Sequence, residues 1–462
     1  MRELLRNKWV KFGIVGTICL LWIIWVECWW LLLLLPIIFD VYITKKVHWA
    51  FWKKKDVERQ TKTVEWIDAI IFAVIGATLI RMFLFEAYTI PTSSMEKTML
   101  VGDYLFVSKV AYGPKLPNTP LALPFTHNKM PLAPDLKPYS EAIHWDYRRI
   151  AGLSEIKRND IMVFNFPAGD TVPLGYENPD YYSQLRTSAR AMLQQWHAKG
   201  KSGVSMKEAE NLAREMMRKR YKIVSRPVDK RENYIKRGVG MPGDTLQLKN
   251  GVLYVNGIKE DTYEGLQYDY VVKTNGIPLN KKRLKDDLGI SYDDFGMISN
   301  NAYVLPMTSE MLGKLKKYPN IQEVERVSNK GYNPDIFPFS DNYRWNVDNF
   351  GPMYVPKKGV TVSLTPENLP FYERIIDVYE ENVLAINDNV IYINGKPADS
   401  YTFKMDYFWM MGDNRHRSAD SRYFGFVPED HVVGKASFIW LSLDSDYSFP
   451  KNIRWRRLFK FI

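Results

Sequence analysis

The sequence predicts N-terminal transmembrane helices joined to a mainly β extramembrane domain that carries α+β insertions. Three observations lead there. Apolar residues crowd the first ninety positions of the 462-residue chain, and the rest reads as a soluble protein. Short alternating runs such as Tyr104-Leu105-Phe106-Val107-Ser108 recur through that second part and end at turn signals, as half-buried strands do. Between these runs lie two long stretches of other character, one helical and charged, one polar and mixed. The length also exceeds what one compact domain usually holds.

Hydrophobic residues make up 46% and charged residues 25%, ordinary values for a folded protein. A net charge of +11 would suit a nucleic-acid binder, but many basic residues flank apolar runs, so a membrane is the expected partner and nucleic acid is not. Both cysteines, Cys19 and Cys28, fall in the apolar N-terminal stretch, which leaves the remainder without a disulfide or a thiolate metal site. His48, His127, His144, His197, His416 and His431 form no HxxxH or HxH pair, so neither a metal centre nor another cofactor is expected.

Phe12 to Ile43 is almost continuously apolar, interrupted by Glu27 and Asp40. One helix needs about 20 apolar residues to cross a bilayer, so this run is long for one upright helix and short for two. Arg2, Arg6, Lys8 and Lys11 precede it; Lys45, Lys46, Lys53, Lys54 and Lys55 follow it. Basic flanks stay cytoplasmic, which favours a tight hairpin turning near Glu27 and Cys28 over one long tilted helix within 1–43. No small-residue cleavage site follows, so a removable leader is not expected. After a basic cytoplasmic loop over 44–64, residues 65–87 read as a transmembrane helix. Its clean core, Ala69 to Ile80, is short, but Asp68 and Arg81 can snorkel and Trp66 suits the interface. This topology makes a multi-pass inner-membrane protein with everything after Tyr88 on the extracytoplasmic side.

The remainder divides into a β core in three parts, 88–170, 233–257 and 389–446. A helical insertion over 171–232 and an inserted domain over 258–388 separate them. Lys249 to Gly257 and Asp388 to Gly395 resemble each other, each a strand entering an Asn-Gly turn, which signals a hairpin. The tail over 447–462 is basic and aromatic; it reads equally as a lipid-headgroup contact or as a strand packed on the body.

Three constellations carry chemistry. Ile90-Pro91-Thr92-Ser93-Ser94-Met95 is a hydroxyl-rich turn close to the membrane surface. Tyr234-Ile235-Lys236-Arg237-Gly238-Val239-Gly240-Met241-Pro242-Gly243-Asp244 is a strand running into a turn. Neighbours on a strand face opposite ways, so Lys236 and Arg237 should sit in different environments. Lysine can act as a base once desolvation lowers its pKa from about 10.4 toward about 7–8, whereas arginine stays charged. Gly412 to Arg422 is dense in polar groups directly after the apolar Phe408-Trp409-Met410-Met411, as a solvated loop or a buried orienting network would be.

In this order after a membrane span, IPTSSM, YIKRGVGMPGD and GDNRHRSADSRYFG resemble the boxes of bacterial type I signal peptidase, a serine peptidase family (S26). KRNDIMVF at 157–164 is similar to a further box. The resemblance implies a catalytic domain of coiled antiparallel sheets, LexA-like, that removes signal peptides from secreted preproteins, working near lipid and near the secretion translocon. It makes Ser94 the nucleophile and Lys236 its general base, with the Thr92 hydroxyl and the Ser94 N–H as the oxyanion hole. Ser418 would orient the lysine, with Asp413, Asp420 and Arg422 in support. Ile90, Met95, Met99, Tyr234 and Ile235 would line pockets for small side chains one and three residues before the cut. This chain departs from the pattern at Ser93, where glycine is common, at Glu96-Lys97, where a residue–proline pair is common, and at Asn159, where glycine precedes the aspartate.

A Ser–His–Asp hydrolase built on His416 or His431 lacks the GxSxG elbow. A self-cleaving Ser–Lys regulator would not carry membrane spans. An inactive scaffold would have no reason to keep both Ser94 and Lys236.

Overall fold

The computed structural model describes residues 7–27, 29–53, 60–131, 133, 136–201 and 203–462. Arg2, Arg6, Cys28, Lys54 and Lys55, named above, lie outside the described residues.

The first helix, Lys8–Val26, starts at Asn7, whose side chain accepts the Trp9 N–H. It stops where Glu27 takes a left-handed φ of 51°. The chain then turns back through Trp29–Leu33 and Leu34–Phe39. Phe39 lies edge-on to Phe12 at 5.4 Å and near Trp9 at 6.4 Å, so the return leg runs beside the helix it left. A second apolar helix spans Lys62–Phe83, 22 residues long. Both Lys8–Val26 and Lys62–Phe83 are long and apolar enough to cross a membrane, and the shorter Leu31–Thr44 is apolar too. Ile70 and Phe72 face outward from the second, as lipid-facing side chains would.

That helix ends before the sequence boundary at 87. Phe85–Thr89 is already a strand, paired antiparallel with Asp103–Ser108 from Phe85 opposite Ser108. Glu86 explains the early end. Arg81 of the last helical turn reaches its carboxylate at 2.6 Å and Lys109 at 2.9 Å, which fixes Glu86 on the sheet side of the junction.

Phe85–Thr89 is the edge of the main sheet. Beyond it follow Asp103–Ser108, Val432–Ser442, Ile161–Asn165, Asn233–Gly240, Tyr407–Met411 and Val427–Pro428, with Lys460–Phe461 paired to the side of Val432–Ser442. All these pairings are antiparallel. Period-two burial is clear in Asp103–Ser108, where Asp103, Leu105 and Val107 point inward. Ile161–Asn165 and Tyr407–Met411 are buried along their whole length, since they have packing on both faces.

A second sheet orders Phe350–Tyr354, Thr245–Lys249, Val252–Val255 and Ile258–Lys259. The expected Asn-Gly hairpins form here and at Val390–Ile393. Asn256-Gly257 and Asn394-Gly395 have φ of 53° and 80°, and 51° and 78°, the left-handed pairs that a two-residue hairpin needs. The helical stretch over 171–232 is held at its base by Thr171–Pro173 paired with Ile223–Ser225. Asp180 caps Tyr181–Ala198, a Ser205/Glu208 capping box starts Met206–Arg220, and Ala189, Ala209 and Ala213 let the two helices close on each other.

The polar stretch 258–388 does not pack as one body. Its first part has its own sheet, Gly296–Ser299, Ala302–Met307, Tyr268–Thr274 and Ile321–Arg326, over a core containing Val272, Leu305, Met307 and Leu315. Later residues, Phe337, Phe350, Met353 and Ile376 among them, pack in the same core as Leu246 and Trp409. They complete the apolar face of the second sheet, so the packing boundary falls well before residue 388. The tail forms a two-residue strand at Lys460–Phe461 with Phe461 against Phe438 at 5.0 Å, while Trp455, Phe459 and Phe461 stay exposed.

Trp409 joins the two sheets. It is 1% exposed, touches the rings of Phe337, Phe350 and Phe426, and lies three residues before Gly412. Trp409→Ala should cost about 3–5 kcal/mol through the cavity it leaves, read as a lowered unfolding midpoint in denaturant.

Candidate active site

The chain leaves the edge strand at Ile90, whose N–H and carbonyl are still paired with Asp103 and Gly102 at 2.9 Å each. It then makes a tight turn, Ser93–Met95, preceded by Thr92 in extended conformation. Met95 and Met99 are fully buried beneath the turn and anchor it. Met95 O accepts the N–H groups of Thr98 and Met99 at 3.2 and 2.8 Å.

Lys236 lies on Asn233–Gly240, between Ile161–Asn165 and Tyr407–Met411. Its amine donates to Ser94 Oγ at 2.7 Å and to the Ile235 carbonyl at 3.0 Å. Lys236 is 4% exposed and Ser94 7%. Burial lowers the lysine pKa to about 8, against the pull of the Asp420 and Asp413 carboxylates. The next side chain points elsewhere. Arg237 forms a two-pronged ion pair with Asp413, at 2.8 and 2.7 Å, and its guanidinium lies 4.1 Å from the Tyr263 ring.

Gly412 to Arg422 folds over both partners as a buried network. Asp420 receives the Gly412 N–H at 3.0 Å and two Arg422 nitrogens at 2.8 Å. Burial pushes the Asp420 carboxyl up, but the Arg422 guanidinium outweighs it and the net shift is downward. Asn414 was not singled out from the sequence. Its N–H donates to the Ser94 carbonyl and its Nδ2 to the Ser93 carbonyl, each at 3.1 Å, so one residue clamps the turn. Thr98 was also missed; its hydroxyl donates to Asp413 at 2.5 Å. Nothing in single-residue composition marks either one, since their partners are backbone carbonyls or a carboxylate far away in the chain.

Two expected placements come out differently. Ser418 is buried beside Gly412, where its hydroxyl helps to hold the Asp420 carboxyl down, while the Lys236 amine bonds Ser94 and Ile235 instead. Ile90, Met95, Met99 and Ile235 gather in one apolar cluster with Ile161 and Val163, but Tyr234 does not join them. Strand alternation turns Tyr234 to the other face, where it stacks on Phe166 at 4.4 Å, with its ring 5.6 Å from the Lys236 amine. Thr92 is exposed at the rim. Asn159 takes φ of 71°, a left-handed conformation that asparagine tolerates in place of glycine. His416 is bound to Asp348 at 2.9 Å and His431 to Asp430 at 2.5 Å.

Gly412 leaves no room for a side chain. A Cβ there would lie 2.2 Å from Ser418 Oγ and 2.6 Å from the Ser94 carbonyl oxygen. Gly412→Ala should therefore displace the Ser94 turn from Lys236. A crystal structure would show the longer Oγ–Nζ distance, and any turnover that depends on this pair should fall by about 100-fold or more.

The signal peptidase, peptidase S26 family profile matches residues 63–304 and 399–441, more than half of the chain. Similar proteins include Signal peptidase I of Buchnera aphidicola subsp. Schizaphis graminum, 24% identical over 82% of this chain and 76% of its own length. Signal peptidase I of Haemophilus influenzae is 24% identical over 88% of this chain and 78% of its own length. Signal peptidase I of Helicobacter pylori strain 26695 is 22% identical over 86% and 90%. The matched segments hold the second apolar helix, the Ser94 turn, the Lys236 strand and the Gly412–Arg422 network, and the chain belongs to the signal peptidase family, peptidase S26.

Proposed function

We propose that this chain is a membrane-bound serine endopeptidase that removes N-terminal signal peptides from exported preproteins at small-x-small sites, with Ser94 and Lys236 as a catalytic dyad. The single observation that carries the reading is the 2.7 Å contact between Ser94 Oγ and a buried Lys236 amine whose pKa is lowered to about 8. A neutral lysine takes the Ser94 proton as Oγ attacks the scissile carbonyl carbon. The oxyanion that forms is stabilised by the Ser94 N–H and the Thr92 hydroxyl. The lysine ammonium then gives its proton to the leaving amine, and an acyl-enzyme ester remains on Ser94. Water, deprotonated by Lys236, attacks that ester and frees the signal peptide. Ser418, packed beside Gly412, supports the lysine's surroundings, with Asp413, Asp420 and Arg422 holding the network.

Substrate binding follows from the sheet. Among the described residues, Phe85–Thr89 pairs on one side only and leads straight to the Ser94 turn, so an extended peptide can add to its free edge. The apolar cluster of Ile90, Met95, Met99 and Ile235 would receive the small side chains before the cut. The two apolar helices hold the chain in the inner membrane as a multi-pass protein, with the β domain on the extracytoplasmic side beside the translocon. Exposed Trp455, Phe459 and Phe461 among Arg456, Arg457 and Lys460 would rest on lipid headgroups.

Ser94→Ala and Lys236→Ala should each abolish cleavage of a precursor peptide with alanine before the cut, while the fold persists. Lys236→Arg should be equally inactive, because arginine does not deprotonate. Full activity in any of the three would overturn the dyad. The base must be neutral and its pKa is lowered, so kcat/KM should rise with pH and level off above about 8. A profile flat from pH 6 to 9, or one falling over that range, is the outcome to look for against it. A reporter fused after Ile462 should behave as extracytoplasmic.

A further inference from the structure

The first part of the polar insertion touches the Ser94 turn from two sides. On one side, the Lys97 amine donates to the carbonyls of Gly289 at 2.6 Å and Leu288 at 3.3 Å, at the C-terminal end of the helix Lys281–Leu288. A cation is favoured there by the helix dipole. Lys97 has a left-handed φ of 72°. Proline, common in the family at this place, is fixed near about −65° and has no amine to extend. The departure from the family pattern thus falls on the residue that meets the insertion.

On the other side, residues 263–269 run along the Gly412–Ser418 loop. Gln267 donates its N–H to the Asp413 carbonyl at 2.9 Å and accepts the Arg415 N–H at 3.0 Å, which brackets Asn414. The Tyr263 ring stacks against Arg237, and its hydroxyl accepts from Arg415 at 3.2 Å. Gly265 is packed so tightly that a Cβ would lie 2.0 Å from the Thr98 hydroxyl, the group that holds Asp413. Asn414 then passes this constraint to the Ser93 and Ser94 carbonyls.

We propose that the insertion over 258–326 is a brace that sets the Ser94–Lys236 geometry, gripping the turn through Lys97 and backing Asp413–Arg415 through Tyr263, Gly265 and Gln267. These are positioning residues, acting through Asn414 and the turn's backbone. The inference rests on the dyad reading and adds which part of the chain fixes its distance.

The test uses the purified full chain in detergent with the alanine-bearing precursor peptide. Lys97→Met and Tyr263→Ala should each lower kcat about ten-fold or more, with KM within about two-fold, because the turn is misplaced while the substrate cleft persists. Tyr263→Phe, which keeps the ring under Arg237, should restore most of the lost turnover. Wild-type kcat in both Lys97→Met and Tyr263→Ala overturns the brace. So does a loss that follows the folded fraction, leaves kcat per folded molecule unchanged and is equal in the Phe and Ala variants. A wild-type chain that cleaves nothing while Ser94 and Lys236 are intact would remove the peptidase reading, and the brace with it.

Discussion

A lysine amine buried with no carboxylate in contact among the described residues is the constraint on which this site depends. The Lys236 amine has the neutral Ser94 hydroxyl and Ile235 carbonyl as partners. Two carboxylates lie close enough to raise its pKa, Asp420 and Asp413. Each is matched by its own arginine, Asp420 by Arg422 and Asp413 by Arg237. Neither is left to hold the lysine as an ammonium ion, so desolvation wins and the pKa falls. The two ion pairs are themselves buried, where breaking one partner is far more costly than at a surface. Lysine tuning and ion-pair burial are thus the same packing seen from two ends.

The sheet supplies the alignment. Ser94 and Lys236 are 142 positions apart in the chain, and strand order brings them together. Lys236 sits mid-sheet, where Met162 faces it across one ladder and Met411 faces its neighbour Arg237 across the other. Met411 leads at once into Gly412, whose missing side chain lets the polar loop lie against the Ser94 carbonyl. A strand that ends in glycine under a fully buried Trp409 therefore converts core rigidity into placement of the loop.

Much of this was legible in the sequence. The apolar runs, the period-two strands and the Asn-Gly turns are local signals, and each one formed as its local chemistry requires. The Ser94 and Lys236 boxes were legible through resemblance, and side-chain chemistry alone separates Lys236 from Arg237, since only a lysine can lose its proton near neutral pH. What escaped was non-local. Asn414 works through two backbone carbonyls, and Thr98 through an aspartate on another segment, so neither leaves a trace in its own neighbourhood. Tyr234 was grouped with Ile235 through the resemblance, although adjacent strand residues face apart. The 258–388 stretch read as one polar, mixed inserted domain, but its later half supplies Phe337 and Phe350 to a core begun near Leu246.

The apolar helix is tied to the site by buried charge as well. Ser94 follows the end of Lys62–Phe83 by 11 residues, about half of them in the edge strand. A flexible link that short would still let the domain tilt. Glu86 removes that freedom. Burial alone would raise its carboxyl, but Lys109 and Arg81 bring it down to about 2, so it stays ionised and tied to the helix and the sheet together. The height of the Ser94 turn above the helix end is then set by a charged joint and a strand of fixed rise, not by linker length. In the proposed reaction, a substrate tethered by its own apolar helix would meet the Ser94 hydroxyl at a matching height, and the gain in effective concentration would come from both tethers being short.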